Sequence, residues 1–117
     1  MGKKLLLIED DSFMRDMIAL VLEAEGYEVH GAESGSAALQ LLQAWDRYDA
    51  VISDMYLPDT DGLTLFVQVR ACCPEVLYLI LSSENDGAII RRATELGITY
   101  IVKDENFAEG IISALRN

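Results

Sequence analysis

Glu9, Asp10 and Asp11 close one short aliphatic run of the sequence, Asp54 closes a second, Ser82 and Ser83 a third, and Lys103 a fourth. If those runs are strands of one sheet, then acid, hydroxyl and amine collect at a single rim. Carboxylates crowded together repel one another and raise at least one pKa unless a cation intervenes. A hard divalent ion meets that need. Mg²⁺ takes one or two carboxylates, keeps several waters and accepts phosphate oxygens, and Mn²⁺ shares the preference for oxygen ligands. Lys103 adds a second, fixed positive charge, and the Ser82 hydroxyl can donate to an oxygen of a bound anion. Together they equip a site to receive a phosphoryl group, where catalysis is mostly positioning and charge neutralisation. Asp54 is the candidate nucleophile, because a carboxylate forms an aspartyl phosphate without a general base. Polar strand ends are common in α/β proteins, so Asp54 or Lys103 alone says little. The weight rests on Glu9, Asp10, Asp54, Ser82 and Lys103 together.

The elements that would position these residues alternate five times between short apolar runs and amphipathic ones. Lys4 to Ile8 reads as a parallel strand covered on both faces. Ser12 is the expected cap of a helix carrying Met14, Met17, Ile18, Val21 and Leu22 at helical spacing, with Gly26 as its stop. Tyr27 to Gly31 reads as a more polar outer strand. A helix follows from Ser34 or Ser36 to about Trp45. Asp49 to Ser53 is a third strand, and a loop with Pro58 and Gly62 leads to a helix through Leu65, Phe66 and Val69. Pro74 breaks the chain before a fourth strand, Val76 to Leu81. Asp86 to Leu96 is helical and ends at Gly97, Tyr100 to Val102 is a fifth strand, and Asn106 to Leu115 a closing helix. Strand starts recur roughly every 20–25 residues, the length of a βα unit. With right-handed crossovers, this predicts an α/β, doubly wound (βα)5 three-layer sandwich over residues 1–117 as one domain. Functional groups of such a sheet gather outside the carboxyl ends of its strands.

Composition narrows the partners. The 117 residues carry nine Lys and Arg against twenty Asp and Glu, a formal net charge of −11. Nucleic-acid affinity rests on neutralising phosphates with basic side chains, so direct nucleic-acid binding is not expected. No apolar run reaches the roughly 20 residues that span a bilayer, and the N-terminus meets acid too soon for a signal peptide. A cytoplasmic protein with no membrane attachment is expected. Cys72 and Cys73 are adjacent, setting no disulfide framework and matching no zinc spacing. His30 is the single histidine, which disfavours a His-rich metal site or a Ser-His-Asp triad.

The motifs, taken in order, resemble the receiver domains of two-component response regulators. The resemblance covers essentially the whole chain. It rests on Leu-Leu-Leu-Ile-Glu-Asp-Asp-Ser-Phe-Met-Arg (5–15), Ala-Val-Ile-Ser-Asp-Met-Tyr-Leu-Pro-Asp-Thr-Asp-Gly-Leu (50–63), Leu-Ile-Leu-Ser-Ser (79–83), Gly97, and Tyr-Ile-Val-Lys (100–103). The second stretch is the most specific: an acid closes an apolar strand, with Pro58 and then Asp61-Gly62 following. The resemblance implies a flavodoxin-like parallel sheet of order 2-1-3-4-5, the order of this family's chemotaxis member. It implies Asp54 as phosphoacceptor, with Mg²⁺ held directly by Asp10, Asp54 and the backbone carbonyl of Tyr56, and by Glu9 through a water. Ser82 stands where the family has the hydroxyl that reaches for the phosphoryl group, Ser83 at the small-residue position, and Lys103 where an amine pairs with a phosphoryl oxygen. Tyr100 matches the aromatic whose rotamer reports activation.

The implied partners are a sensor histidine kinase or phosphotransfer protein, and a downstream output domain or protein. The latter would meet the face of the fourth helix, fifth strand and fifth helix, and a phosphorylation-linked homodimer is a further implied assembly. The implied role is a phosphoacceptor that assists its own phosphorylation and dephosphorylation, and not a turnover enzyme on an external substrate.

Three departures from the family stand out. Lys103 is followed by Asp104 where the family usually has a cis proline; a non-proline cis bond costs roughly 2.5–4 kcal/mol, so a trans bond or a strained cis one is expected. The loop from Gly97 to Tyr100 is about one residue shorter than in the chemotaxis member. Tyr56 puts a bulky ring where side chains shield or admit the hydrolytic water. Rival readings fit less well. A flavodoxin needs a Ser/Thr/Gly-rich phosphate cradle after its first strand, where Glu-Asp-Asp would repel. A haloacid-dehalogenase-type phosphatase wants a second Asp where Tyr56 stands. An EF-hand counted from Gly62 places Leu57 and Gln68 at ligand positions. The remaining alternative is a non-phosphorylated receiver-like interaction or dimerisation module, which loss of Asp10, Asp54 or Lys103 would mark; all three are present.

Overall fold

The computed structural model describes residues 3–44 and 47–116, so Trp45, the expected end of the second helix, lies outside the described residues. Five βα units follow one another: β1 (Lys4–Ile8), α1 (Ser12–Ala24), β2 (Glu28–Ala32), α2 (Gly35–Ala44), β3 (Ala50–Asp54), α3 (Gly62–Cys72), β4 (Leu77–Ser82), α4 (Gly87–Glu95), β5 (Thr99–Val102) and α5 (Phe107–Arg116). The sheet order is β2-β1-β3-β4-β5, and every pairing is parallel.

Side chains of a strand alternate between faces, and the core divides accordingly. Leu6, Ile8, Val51, Tyr78 and Ile80 pack on one face with Ala38 and Leu42 of α2, Leu65, Phe66 and Val69 of α3, and Ala93 of α4. Leu5, Leu7, Ala50, Ile52, Leu79 and Leu81 pack on the other with Ile18 and Leu22 of α1 and Ile111 and Leu115 of α5. Helices therefore cover both faces, which is why β1 reads as an unbroken aliphatic run. The edge strand β2 has only one buried residue, Ala32.

Several boundaries differ from expectation by one residue. The cap of α1 is Asp11, whose carboxylate accepts from the Met14 amide at 3.1 Å, and Ser12 is the first helical residue. The ladders of β3 and β4 run one residue further, taking in Asp54 opposite Leu81 and Ser82 opposite Val102. Asp49 sits just before β3, where its carboxylate accepts from the Lys4 amide at 2.7 Å. Gly26 and Gly97 adopt positive φ, +95° and +82°, as the chain leaves α1 and α4; a residue with a Cβ is strained there. No peptide bond among the described residues is cis, so Lys103–Asp104 is trans.

Candidate functional site

The parallel order brings the carboxyl ends of β1, β3, β4 and β5 to one rim. Glu9 follows β1 and is buried, 3% exposed. Its amide donates to the Ala32 carbonyl at 2.9 Å, extending the β1–β2 ladder past the strand end. Its own carbonyl is held at 2.6 Å by the Arg15 guanidinium reaching back from α1. Asp54 ends β3, and one carboxylate oxygen each from Glu9, Asp10 and Asp54 lie within 4.8 Å of one another. Lys103, just past β5, is placed by its backbone amide, which donates to the Ser82 carbonyl at 2.7 Å. Its ammonium stands 2.5 Å from Asp54 Oδ1 and 3.1 Å from Glu9 Oε1.

Two carboxylates, Asp54 and Glu9, thus share one ammonium, with Asp10 beside them. Burial pushes the Asp54 carboxyl above its ordinary range, and the pull of Lys103 does not undo this. Glu9 is raised too, first by burial and then by the charge of Asp54. Burial works against the charged form of Lys103, but Asp54 and Glu9 outweigh it and hold the amine above its ordinary value. The ammonium is therefore secure, while the acids remain under-compensated. Asp54 Oδ1 is buried and, apart from its ion pair with Lys103, receives no hydrogen bond. An all-oxygen acidic set with an under-satisfied lone pair fits a hard divalent cation, whose charge would reverse the upward shifts.

The loop after Asp54 is fixed at several points. The Gly62 amide donates to the Met55 carbonyl at 2.6 Å, and Leu57 to Thr60 at 3.0 Å. Tyr56 forms an isolated antiparallel bridge with Asp61, leaving its ring half exposed. A Cβ on Gly62 would come within 3.1 Å of the Asp54 carbonyl, so glycine permits the loop to close against the acid. Asp61 caps α3 through the Thr64 amide at 2.8 Å, and Tyr78 donates its buried hydroxyl to the Gly62 carbonyl at 2.8 Å. Ser82 is buried at the end of β4, its hydroxyl accepting from the Glu84 amide at 3.1 Å, while Ser83 is exposed. Tyr100 is half-buried and donates to the Glu84 carbonyl at 3.0 Å.

The geometry brings Glu9, Asp10, Asp54 and Lys103 into one cluster, with Ser82 tied to it through Lys103. Tyr56, Ser83 and Tyr100 border the same rim, and their side chains make no hydrogen bond to the three acids. Three supporting residues escaped the sequence reading. They are Arg15 on the Glu9 carbonyl, Glu84 between Ser82 and Tyr100, and Asp59. The Asp59 carboxylate accepts from the Gly35 and Ser36 amides, both at 2.9 Å, fastening the loop to the start of α2. Those two bonds hold the Asp59 carboxyl below its ordinary range. His30 lies outside the cluster, between Tyr48 and Glu28.

The family model of the response regulator receiver domain matches residues 5–116. The chain belongs to the response regulator receiver domain family. Among curated relatives, the transcriptional regulatory protein GlrR of Escherichia coli (strain K12) is 34% identical over 94 residues, which is 80% of this chain and 21% of GlrR. Sporulation initiation phosphotransferase F of Bacillus subtilis (strain 168) is 27% identical over 104 residues, covering 88% of this chain and 83% of that protein. Among solved structures, the chemotaxis response regulator CheY4 of Vibrio cholerae superposes with a TM-score of 0.87 at 28% identity, over 99% of this chain and 98% of that one. The chain spans only about a fifth of the first curated relatives it matches. Receiver domains act as phosphoacceptor switches, bind Mg²⁺ at an acidic pocket, and interact with histidine kinases and output domains. A cluster of three acids, Glu9, Asp10 and Asp54, stands at the rim of this chain. No helix among the described residues is long and apolar enough to cross a membrane.

Proposed function

We propose that this receiver domain, one domain over residues 1–117, accepts a phosphoryl group on Asp54 from the phosphohistidine of a sensor kinase or phosphotransfer protein. A carboxylate oxygen of Asp54 attacks phosphorus, the new P–O bond forms as the P–N bond breaks, and the imidazole leaves with the electron pair. The observation that carries this reading is the Asp54–Lys103–Glu9 cluster: a nucleophilic acid at a strand end, an amine 2.5 Å from it, and further acid alongside.

Asp10, Asp54 and the Tyr56 carbonyl are the residues that would hold Mg²⁺, or Mn²⁺, directly, with Glu9 assisting through a water. The ion would supply neutralisation of the phosphoryl oxygens. Lys103 keeps its proton and binds one phosphoryl oxygen, so its contact with Asp54 passes to the acyl phosphate. Ser82 exchanges its bond with the Glu84 amide for one to another phosphoryl oxygen, and exposed Ser83 leaves room for the group. Because Glu84 also accepts from Tyr100, movement at Ser82 is transmitted to the face of α4, β5 and α5. A ligand shifts such an equilibrium only by its differential affinity for the two arrangements. That face is the proposed contact for an output domain or protein, or for a second phosphorylated copy. No external substrate is turned over, and the site of action is cytoplasmic.

Backbone amide spectra recorded with a phosphate mimic and Mg²⁺ test the reading. Shifts from Ser82 through Tyr100 are expected in the wild type and absent in Asp54→Asn. Spectra unchanged in the wild type would reduce the domain to a non-phosphorylated interaction module.

A further inference from the structure

Cys72 and Cys73 take no part in the rim site. They end α3, which runs back from the rim, so they lie at the opposite end of the sheet from Asp54. Their sulfurs are 3.5 Å apart. Cys72 is exposed and Cys73 half-buried. The turn after them is held by the Arg70 guanidinium, which donates to the carbonyls of Pro74 and Val76. The pair borders an open cleft of about 520 Å³ that Tyr48, Pro74 and Glu75 also line.

Three chemistries suit adjacent thiols, and two fit poorly here. A disulfide needs Cα atoms usually about 4.4–6.8 Å apart, whereas neighbours across a trans peptide sit about 3.8 Å apart; closure would be strained. Oxidation also begins from the thiolate, and burial, with Cys72 beside it, pushes the Cys73 thiol up to about 11. Structural zinc needs four ligands. Among the described residues, the only grouping of three or more His, Cys, Asp or Glu ligand atoms is the rim cluster of Glu9, Asp10 and Asp54. What remains is a soft centre that takes two sulfurs and brings its own third substituent.

We propose that Cys72 and Cys73 form a bidentate thiol site for monosubstituted trivalent arsenicals. An organic arsenoxide condenses with both thiols: two As–S bonds form, the As–O double bond breaks, and the two thiol protons leave with the oxygen as water. Arsenic stays trivalent and nothing is oxidised, so no further reagent is needed. The organic substituent has the cleft beside Tyr48 and Pro74 to occupy. Tying both sulfurs to one atom makes the second bond intramolecular, an advantage of about a hundredfold or more over a single thiol.

Phenylarsine oxide added to the reduced protein, followed by intact-mass measurement, tests the site. One adduct per chain is expected, with loss of one water, resistant to excess monothiol and released by a small dithiol. Cys72→Ser and Cys73→Ser should each lose their adduct to monothiol at concentrations about a hundredfold lower. Binding to the folded pair should also raise the unfolding temperature of the wild type, since a ligand that prefers the native state stabilises it. A wild-type adduct displaced as readily as those of the single variants would overturn the proposal. So would a fall in the unfolding temperature, because the sulfurs would then be better placed in the unfolded chain.

Discussion

Replacing Asp54 with asparagine in the metal-free protein should stabilise it. The three rim carboxylates present oxygens no more than 4.8 Å apart, and at an effective dielectric near 20 two such charges repel by about 3.5 kcal/mol. If both were fully charged at that distance, Glu9 and Asp10 would together oppose an ionised Asp54 by about 7 kcal/mol. Lys103, 2.5 Å away, offsets about 7 kcal/mol at the same dielectric. With the Coulomb terms nearly cancelled, the cost of burying the Asp54 charge is left over. This accounts for a carboxyl raised by burial despite its ion pair. The Asp54→Asn substitution removes that cost, and a gain on the order of 1–2 kcal/mol is expected, or about 4 °C in Tm per kcal/mol. The sign with pH follows from proton linkage. A carboxyl raised in the folded state binds its proton more tightly there, so wild-type stability from this group falls as pH rises through the raised folded value. The advantage of the Asp54→Asn variant should be full at neutral pH and shrink as pH falls toward the ordinary carboxylate range. Urea unfolding in chelator at several pH values measures it. A variant less stable than wild type at neutral pH, or an advantage that persists unchanged into acid, would show that burial of the Asp54 charge is not a net cost. Adding Mg²⁺ should reverse the ranking, since binding at 100 times Kd contributes about 2.7 kcal/mol to a protein that holds the ion.

Gly62→Ala places a methyl 3.1 Å from the Asp54 carbonyl and 3.2 Å from Ile80 Cδ1; a loss of about 1–3 kcal/mol in denaturant unfolding is expected, together with weaker Mg²⁺ binding by titration. Tyr78→Phe leaves the Gly62 carbonyl without its buried donor and should cost about 1–3 kcal/mol, read by the same unfolding assay. Asp59→Asn weakens the clamp on the Gly35 and Ser36 amides and should lower Tm at neutral pH. Because the Asp59 carboxyl is depressed in the folded state, the wild-type advantage should hold above the ordinary carboxylate pKa. It should disappear as pH falls through the folded value, which a pH series of thermal melts would show.

The sheet was legible because burial on both faces forces continuous aliphatic runs such as Leu5 to Ile8, and because the acids, Ser82 and Lys103 each stop one of those runs. Parallel order then gathers residues as distant in sequence as Glu9 and Lys103. The supporting contacts were not legible, for a physical reason. Arg15 reaching the Glu9 carbonyl and Asp59 reaching Gly35 depend on how helices sit against loops, and neither leaves a period or a spacing in the chain. The choice of Asp11 over Ser12 as cap is of the same kind. Both residue types cap well, and the register of α1 is decided by the packing of Ile18 and Leu22 against the sheet.

Phosphorylation by a small acyl phosphate in the presence of Mg²⁺, followed by peptide mapping, tests the central claim most directly. One phosphoryl group per chain is expected, on Asp54 alone, lost when the metal is chelated beforehand and strongly reduced in Asp10→Asn and Lys103→Met. A phosphoryl group on another residue, or none on Asp54 at saturating donor and metal, would contradict it.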